Sequence, residues 1–334
     1  MNRKTTTITD IAKRANVSKS TVSRVINDST PVNSVKREAV LEAMKELNFE
    51  PNVFARGLAS GQSMTIGVMT QNIGSPFYDA ISQGILSSLS KTSYSPIFAD
   101  GRWRSETGIA AAETLLGRMV DGLIIVGSRL TQDQLDRLKN RGPILIVGRQ
   151  VEGWDNRCLF LDNEQAGYDA TKHLIDLGHK QIAHIAGLEN HQDAIRRKAG
   201  YIRALKEANL EVDQELIHGG EFDGNSGVVA IENLLSKGKK FSAVFAANDM
   251  TAFGARLALY RRDIRVPEDI SIIGFDDQAE SEFFSPPLTT VKQPANEMGE
   301  AAADAMIKII TNKEHKLPVV ESKVVIREST QARK

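Results

Sequence analysis

Apolar positions recur along the chain with two different spacings. Before residue 50 they follow the spacing of an amphipathic helix, as at Ile8, Ile11, Ala12 and Ala15. From residue 65 onward, short apolar runs typical of buried strands alternate with helical stretches. The seven clearest runs are 65–70, 96–100, 122–126, 144–148, 181–186, 242–246 and 270–274. The pattern predicts a small all-α N-terminal domain followed by an α/β region whose parallel sheets are covered by helices.

The α/β region is too long for a single sheet. About 270 residues exceed what one such sheet needs, so two lobes are predicted. Between the two regions, residues 51–64 begin with Pro51-Asn52 and contain Gly57 and Gly61, a composition that indicates a linker. The predicted domains are therefore 1–50, 51–64 and 65–334.

Charge changes this picture because it is unevenly distributed. The chain of 334 residues has 42 Lys and Arg and 42 Asp and Glu, so its formal net charge is zero. The first 60 residues contain ten basic and six acidic residues, a net charge of +4, which leaves −4 for the remainder. A basic N-terminal region on a mildly acidic body indicates a contact with nucleic acid.

Several classes of protein are disfavoured by composition. No run approaches the 18 or so apolar residues of a spanning helix, and residues 1–7 are polar, so we expect a cytoplasmic protein with no membrane contact. The single cysteine, Cys158, lies in an apolar run and is interpreted as a core residue. The sequence has no P-loop, metal-ligand spacing or nucleophile motif, so no enzyme, cofactor or metal site is predicted.

The first apolar stretch has the form of two helices joined by a short turn. Thr7, with Asp10 three residues later, indicates a helix start. Asn16 interrupts the apolar pattern and tolerates the left-handed backbone of a tight turn. Ser18 then caps a second helix that extends to Asn27. This order predicts a helix-turn-helix, whose second helix enters the major groove of DNA.

The second helix has short polar and basic side chains opposite its apolar face. We expect Lys19, Ser20 and Arg24 to read bases, because a recognition helix reaches base edges and arginine can donate two hydrogen bonds to guanine. The candidates for phosphate contacts are Ser18, Thr21, Ser23 and Asn27. The alternative is a small helical domain with a solvated polar face, which would leave the local positive charge unexplained.

A short basic segment follows the third predicted helix, which starts near Asn33. The segment runs from Pro51 to Leu58 and is too short to be stable alone, because isolated helices below about 12 residues are marginal in water. An apolar Leu58 at its end fits a wedge inserted into the minor groove. The alternative for Leu58 is a contact with the α/β body.

These motifs together resemble the LacI/GalR family of bacterial transcription regulators. The resemblance includes TITDIA at 7–12, VSKSTVSRVIN at 17–27, PN at 51–52, ARGL at 55–58, DGLII at 121–125, GHKQIA at 178–183, ND at 248–249, VPEDISIIGFDD at 266–277 and PLTTV at 287–291. One departure is Asn16, which stands where the family usually has glycine.

The resemblance implies a two-lobed body like the periplasmic sugar-binding proteins, with an effector bound between the lobes. Lobe 1 would comprise about 65–163 and 293–322, and lobe 2 about 164–292 and 323–334. A homodimer would bind a palindromic operator, and the absence of a C-terminal apolar heptad favours a dimer over a tetramer. The resemblance also adds Thr7, Asn52 and Ala55 to the DNA-binding residues.

The same resemblance assigns effector-binding residues in the second lobe. Arg197 supplies a fork of donors, Asp276 accepts from paired hydroxyls, and Phe222 offers an aromatic face to C–H groups. Asn248 can both donate and accept. Each polar residue also has a simpler interpretation: Asn248 as a helix cap, Asp276 as a turn residue and Arg197 as half of a surface ion pair.

The first lobe is less clearly assigned. The candidates are Gln71, Phe77, Arg149 and Asp162, with the unusual segment Arg102-Trp103-Arg104 in addition. Gly148 stands where many sugar-responsive members of the family have an aspartate.

The sequence therefore predicts a DNA-binding repressor of sugar-catabolic genes, dimeric on its operator and induced by a sugar. Two alternatives stay open: the same kind of regulator with a purine, nucleoside or corepressor ligand, and a sugar-processing or sugar-binding protein without a regulatory role.

Overall fold

The computed structural model describes residues 6–27, 30–49 and 62–333. In the first two ranges the chain forms α1 (Ile8–Arg14), α2 (Lys19–Asn27) and α3 (Ser34–Glu46). Ile11, Val22 and Val40 are fully buried at the centre of these helices. Asn33 caps α3 by accepting a hydrogen bond from the N–H of Val35 at 3.0 Å. The three-helix core predicted from the apolar spacing is confirmed.

From residue 62 onward the described chain alternates strands and helices. The strands are β1 (Thr65–Thr70), β2 (Ser95–Asp100), β3 (Gly122–Val126), β4 (Ile144–Val147), β5 (Cys158–Leu159), β6 (Ile182–Ile185), β7 (Ile217–His218), β8 (Ala243–Ala246), β9 (Ser271–Asp276), β10 (Thr289–Lys292) and β11 (Lys323–Val325). The helices are α4 (Pro76–Leu89), α5 (Ser105–Gly117), α6 (Gln132–Lys139), α7 (Asn163–Asp176), α8 (Gln192–Glu207), α9 (Gly224–Ser236), α10 (Asp249–Tyr260), α11 (Glu280–Phe283) and α12 (Ala295–Ile310).

The first sheet has the strand order β2-β1-β3-β4-β5, and its pairs β1–β3, β3–β4 and β4–β5 are parallel. Apolar side chains cover both of its faces, which is why its strands are continuous apolar runs. Val68 and Ile124 pack against α4 and α12, whereas Leu123 and Ile125 pack against α5 and α6. Cys158 is buried in the latter cluster, as predicted. This sheet and its helices are called the first lobe.

The second sheet has the strand order β11-β10-β9-β8-β6-β7, in which only β11 is antiparallel to its neighbour among the pairs whose register is defined. Helices α7 and α8 pack on one face around Phe245 and Phe275, and α9 and α10 pack on the other around Val244 and Ile272. This sheet and its helices are called the second lobe. The predicted fold class, a two-lobed α/β body with an all-α N-terminal domain, is confirmed.

The chain passes between the lobes at three places: after β5, after β10 and before β11. Leu161 on the first of these segments forms an isolated parallel bridge with Val320 on the third. Both residues pack in one apolar cluster with Val291, which precedes the second segment. The three crossing segments therefore lie together. In the described part of the chain, no helix has the length and apolar composition needed to span a bilayer.

Candidate nucleic-acid interface and effector site

A tight turn orients α2 in the N-terminal domain. Asn16 has a φ of 50°, the left-handed conformation predicted for it. The N–H of Val17 donates to the carbonyl of Ala12 at 3.0 Å and closes the turn. Ser18 caps α2, because its Oγ accepts the N–H of Thr21 at 3.1 Å. The buried face of α2 contains Val22 and Val25, so the opposite face is directed outward.

The outward face of α2 contains the side chains that were predicted to contact DNA. Lys19, Ser20 and Arg24 are exposed, whereas Thr21 and Ser23 are half-buried. The hydroxyl of Ser18 lies 2.8 Å from that of Ser20 and 2.9 Å from that of Thr21. This group of hydroxyls at the N-terminus of a helix has the chemistry of a phosphate contact.

The remaining predicted DNA contacts are Thr7, Asn27, Asn52, Ala55 and Leu58. Thr7 Oγ1 donates to Asp10 Oδ2 at 2.7 Å, so in this structure its hydroxyl closes the start of α1. Asn52, Ala55 and Leu58, and the side chain of Asn27, lie outside the described residues.

In the α/β body, a cavity of about 340 Å³ lies between the two lobes. The first lobe lines it with residues that follow β3 and β4, including Ser128 and Arg149, and the second lobe lines it with residues 190–193 at the start of α8. Crevices beyond the carboxyl ends of parallel strands are the usual ligand sites of such sheets. We call this the main cavity.

A series of rings in edge-on contact crosses the main cavity from one lobe to the other. The centroid distances are 5.3 Å for Phe77 to Tyr78, 5.6 Å for Tyr78 to Trp103, 4.5 Å for Trp103 to His191 and 5.1 Å for His191 to Phe222. The first three rings belong to the first lobe and the last two to the second. This aromatic series gives the cavity an apolar wall.

Several non-glycine residues at or beside the cavity have a left-handed backbone, among them Trp103, Phe222 and Asp276. The φ angles are 54° at Trp103, 62° at Phe222 and 116° at Asp276. Such angles in residues other than glycine are uncommon and cost about 1–3 kcal/mol each, and they concentrate at functional sites. The cleft is therefore a strained part of the body.

Polar groups of the first lobe that face or underlie the main cavity are incompletely bonded. Among the described residues, no hydrogen-bond partner is present for Ser128 Oγ, Arg149 Nε or either side-chain polar atom of Gln71. Arg149 is held by one bond, in which Nη1 donates to the carbonyl of Ser128 at 2.9 Å. Gln71 is only 1% exposed and lies beneath the cavity floor, where a Cβ at Gly101 would approach its Nε2 to 2.8 Å.

In the second lobe, Arg197 is buried and not a surface ion-pair former. Its Nε donates to Asn163 Oδ1 at 2.8 Å and its Nη1 donates to the carbonyl of Ala247 at 2.6 Å. The guanidinium carbon lies 3.6 Å from the centroid of the Phe275 ring. Arg197 is thus a fixed positive charge behind the cavity wall.

Asp276 ends β9 and is held in place by two glutamines. Gln293 Nε2 donates to its Oδ1 at 2.6 Å, and Gln278 Nε2 donates to its Oδ2 at 3.3 Å. Asp249, behind it, accepts from the N–H of Gln278 at 2.8 Å and from the hydroxyl of Ser281 at 2.7 Å. The carboxylates of the second lobe are therefore oriented before any ligand binds.

Burial dominates the electrostatics of these groups. It raises the pKa of Asp193 to about 6, against the opposing effect of the Arg197 charge. It raises the pKa of Asp276 as well, again opposed by Arg197. Burial also lowers the pKa of His191 to about 3, and the charge of Arg197 adds to this shift, so the His191 ring is neutral near pH 7. Carboxylates and a neutral ring suit hydrogen bonds to hydroxyl groups.

Asn248 and Asp162 both act as helix caps. Asn248 Oδ1 accepts from the N–H of Thr251 at 2.9 Å, while its Nδ2 donates to the carbonyl of Phe222 at 2.9 Å. Asp162 Oδ1 accepts from the N–H groups of Glu164 and Gln165 at 3.1 and 3.0 Å. Asp162 also lines a second cavity of about 270 Å³ that shares residues with the main one.

Comparison with known proteins gives the same two regions. A sequence profile described as bacterial regulatory proteins of the lacI family matches residues 7–52, and one described as a periplasmic binding protein-like domain matches residues 171–330. Catabolite control protein A of Priestia megaterium is 35% identical over 321 residues, which are 96% of this chain and 95% of that protein. The chain belongs to the LacI family of bacterial transcription regulators.

Further LacI-family proteins match over nearly the whole chain. The repressor PurR of Vibrio campbellii is 34% identical over 96% of this chain and 97% of its own. The Lac repressor dimer bound to operator and the anti-inducer ONPF has a TM-score of 0.89 and 30% identity, covering 98% of this chain and 100% of that one. The regulator CelR in complex with cellobiose has a TM-score of 0.73 and 32% identity, covering 97% and 99%.

In this LacI-family body, the structure groups most of the residues chosen from the sequence around one cleft. Phe77, Trp103 and Arg149 line the main cavity, and Phe222 joins its aromatic series. Arg197 and Asp276 do not line it, but their charges act on the pKa of Tyr78, which does.

The residues that line the main cavity and that the sequence reasoning did not select include Tyr78, Ser128, His191 and Asp193. A weak signal existed for the last two, because the polar run 190–193 stands at the start of the helix that follows an apolar strand, although that run begins five positions after its strand ends and Asn248 only two positions after its own. Tyr78 adjoins the selected Phe77 and lies in α4. Ser128 is two residues beyond β3, a position that strand-end reasoning also covers.

Proposed function

We propose that this LacI-family repressor controls sugar-catabolic genes, binds a palindromic operator as a homodimer and is released from DNA by a sugar. The observation that carries the sugar assignment is the combination of an aromatic wall with the Asp193 carboxylate in the main cavity, near the oriented Asp276. A sugar ring presents C–H groups to an aromatic surface and hydroxyl groups to carboxylates, so both kinds of wall are used.

Similarity to solved structures supports this assignment. The regulator CelR, which resembles this chain over nearly its whole length, was solved with cellobiose. In this chain, Asp193 and the Asp276 region supply acceptors, and Ser128 and Arg149 supply donors whose partners a ligand would bring.

Exposed apolar side chains of the second lobe support the homodimer. Phe283 is 83% exposed and Tyr260 is 67% exposed, and Leu257 on the same helix as Tyr260 is also exposed. Phe253 and Phe284 stack at 4.5 Å between α10 and the end of α11. Apolar side chains gathered on neighbouring helices are typical of an interface.

The dimer is tested by placing a charge in this surface. Tyr260→Asp should shift the sedimentation coefficient of the purified protein from dimer to monomer and weaken operator binding. The control is Val319→Asp, which changes an exposed apolar residue elsewhere. A Tyr260→Asp protein that sediments like wild type would remove this surface from the proposal.

DNA recognition is tested on the exposed face of α2. Arg24→Ala should abolish preference for the operator over a scrambled duplex, since a two-bond contact with guanine contributes about 1–3 kcal/mol of discrimination. Lys13→Ala, an exposed basic residue on α1, is the control for lost charge. Operator preference that survives in Arg24→Ala would refute the reader assignment.

The sugar assignment is tested by fluorescence anisotropy of an operator duplex bound to the full-length protein. Sugars should lower the anisotropy, whereas hypoxanthine, guanine and adenosine should not. Release by a nucleobase or nucleoside would favour the purine alternative, and tighter operator binding with any ligand would make that ligand a corepressor.

A further inference from the structure

The main cavity and the second cavity share part of their lining. Gly148, Arg149, Gln192 and Asp193 line both cavities and form the boundary between them. Beyond this boundary the second cavity is lined by Gln150, Phe160, Asp162 and Arg196, among others. Their volumes of about 340 and 270 Å³ lie just above and just below the lower end of the range of about 300–1,000 Å³ for small-molecule sites, so the two neighbouring cavities together offer room that neither offers alone.

Gly148 has no side chain to fill the space at this boundary. Its φ is 93°, and a Cβ there would have no atom closer than the backbone N of Gly127 at 3.7 Å. A side chain at this position would therefore project into unoccupied space. Arg149 beside it is held toward the first lobe by its bond to the Ser128 carbonyl.

The two cavities differ in chemistry. The aromatic series borders only the main cavity. The second cavity is lined by three acidic residues (Asp162, Glu164, Asp193) and three basic ones (Arg149, Arg196, Arg203), and Glu164 pairs with Arg196 and Arg203 at 3.2 Å each, so opposite charges compensate one another. An uncharged ligand rich in hydroxyl groups suits such a surface better than an anion or a cation, because it can join the hydrogen bonds without adding net charge.

We infer that the effector is a disaccharide, with one sugar ring against the aromatic series in the main cavity, the second ring in the second cavity, and the glycosidic linkage beside Gly148. This inference rests on the proposed sugar effector and adds the number of its sugar rings. A monosaccharide would fill only the main cavity and would leave the second cavity to water.

The test uses the purified full-length protein in thermal-shift and calorimetric titrations. The compounds are cellobiose, maltose, trehalose, lactose and sucrose, each compared with its constituent glucose, galactose or fructose. At least one disaccharide should raise the melting temperature and bind at least tenfold more tightly than its monosaccharides. A monosaccharide that binds as tightly as every disaccharide, or no binding by any disaccharide, would overturn the inference.

Variants locate the second ring. Gly148→Asp should reduce the ratio of disaccharide to monosaccharide affinity at least tenfold relative to Gly148→Ala, which carries the same backbone strain but a small side chain. If neither variant folds, Gln150→Ala, at an exposed position that lines only the second cavity, should reduce the same ratio several-fold. An unchanged ratio in the variants that fold would also overturn the inference.

The outcomes separate this inference from the proposed function. Operator release by a monosaccharide with no preference for disaccharides leaves the sugar-responsive repressor intact and removes only the disaccharide. Release by nucleobases alone removes both.

Discussion

The two walls of the cleft differ in how their polar groups are bonded. In the second lobe, Arg197, Asp276 and Asn248 have hydrogen bonds to protein groups on both sides, so their positions are set in advance. In the first lobe, Ser128 Oγ, Arg149 Nε and the Gln71 amide have unpartnered atoms among the described residues. Edge-on contacts among Phe77, Tyr78 and Trp103 also hold that side.

This difference implies a division of roles. A preorganised wall loses little entropy when a ligand binds, so the second lobe is suited to recognition. A ligand that bonds Ser128 Oγ or Arg149 Nε would supply hydrogen bonds that the described protein groups do not. The first lobe is therefore suited to respond to occupancy.

Among the variants that test the preorganised wall of the second lobe, Arg197→Ala should have the largest effect. It removes two hydrogen bonds and the positive charge that opposes the pKa shifts of Asp193 and Asp276. Leaving buried carboxyl groups without this charge should lower the free energy of unfolding by about 3 kcal/mol, measured by urea denaturation.

The matched control is Arg196→Ala, the preceding residue, whose exposed side chain pairs with Glu164 at the surface. It should change the free energy of unfolding by less than about 1 kcal/mol. Equal losses in the two variants would show that the second lobe does not depend on Arg197.

Asp193→Asn tests the buried charge at the junction of the walls. The pKa of Asp193 is raised to about 6, so ionisation of this group favours the unfolded state as pH rises through the range from about 4 to 6. Removing the charge should stabilise the variant relative to wild type by about 1–2 kcal/mol more at pH 7.5 than at pH 4.5.

The comparison uses urea denaturation at both pH values. His191, whose lowered pKa makes the folded state lose stability as pH falls below about 6.5, acts in both proteins and cancels in the difference. A difference between variant and wild type that is the same at both pH values would contradict a raised pKa at Asp193.

Trp103→Ala tests the ring contacts of the first lobe. Loss of one aromatic contact of about 0.5–1.5 kcal/mol should weaken binding of the effector about two- to tenfold in calorimetric titrations. Arg102→Ala is the control, because Arg102 is exposed in the same turn and has a φ of 52°. Equal weakening in both variants would assign the effect to the turn and not to the ring.

The smallest expected effect comes from Gln71→Leu. Because its amide has no partners among the described residues, the apolar replacement should leave the free energy of unfolding unchanged or raise it by up to about 1 kcal/mol. Gln293→Leu makes the same change to a buried amide that is bonded to Asp276, and it should cost about 1–2 kcal/mol. An equal loss of unfolding free energy in Gln71→Leu and Gln293→Leu would contradict the difference in hydrogen bonding between the two walls.

Strongly patterned elements were predictable from the sequence. The seven apolar runs coincide with β1–β4, β6, β8 and β9 to within two residues, because strands buried on both faces are continuous apolar segments. The short strands β5, β7, β10 and β11 were not assigned. They have two to four residues each, so their pairing depends on neighbours that the local sequence does not specify.

The site was predictable where residue type and motif coincided. Arg197 and Asp276 were selected by motif, but the burial of Arg197 beneath Phe222 and Phe275 depends on helix α8 packing against its sheet. The contact between Trp103 and His191 joins residues of different lobes, and no local pattern in either segment indicates it. Interactions across the cleft are therefore a property of the assembled lobes.

The three neighbouring crossing segments limit how the lobes can move apart. The two lobes are connected along one edge by three chain segments, and two of these segments are bridged through Leu161 and Val320. These connections oppose both an even separation of the lobes and a free twist of one lobe against the other. The lobes can rotate about that edge as about a hinge. A small rotation at the edge then produces a larger displacement at the far side of each lobe, in proportion to the distance of that side from the rotation axis.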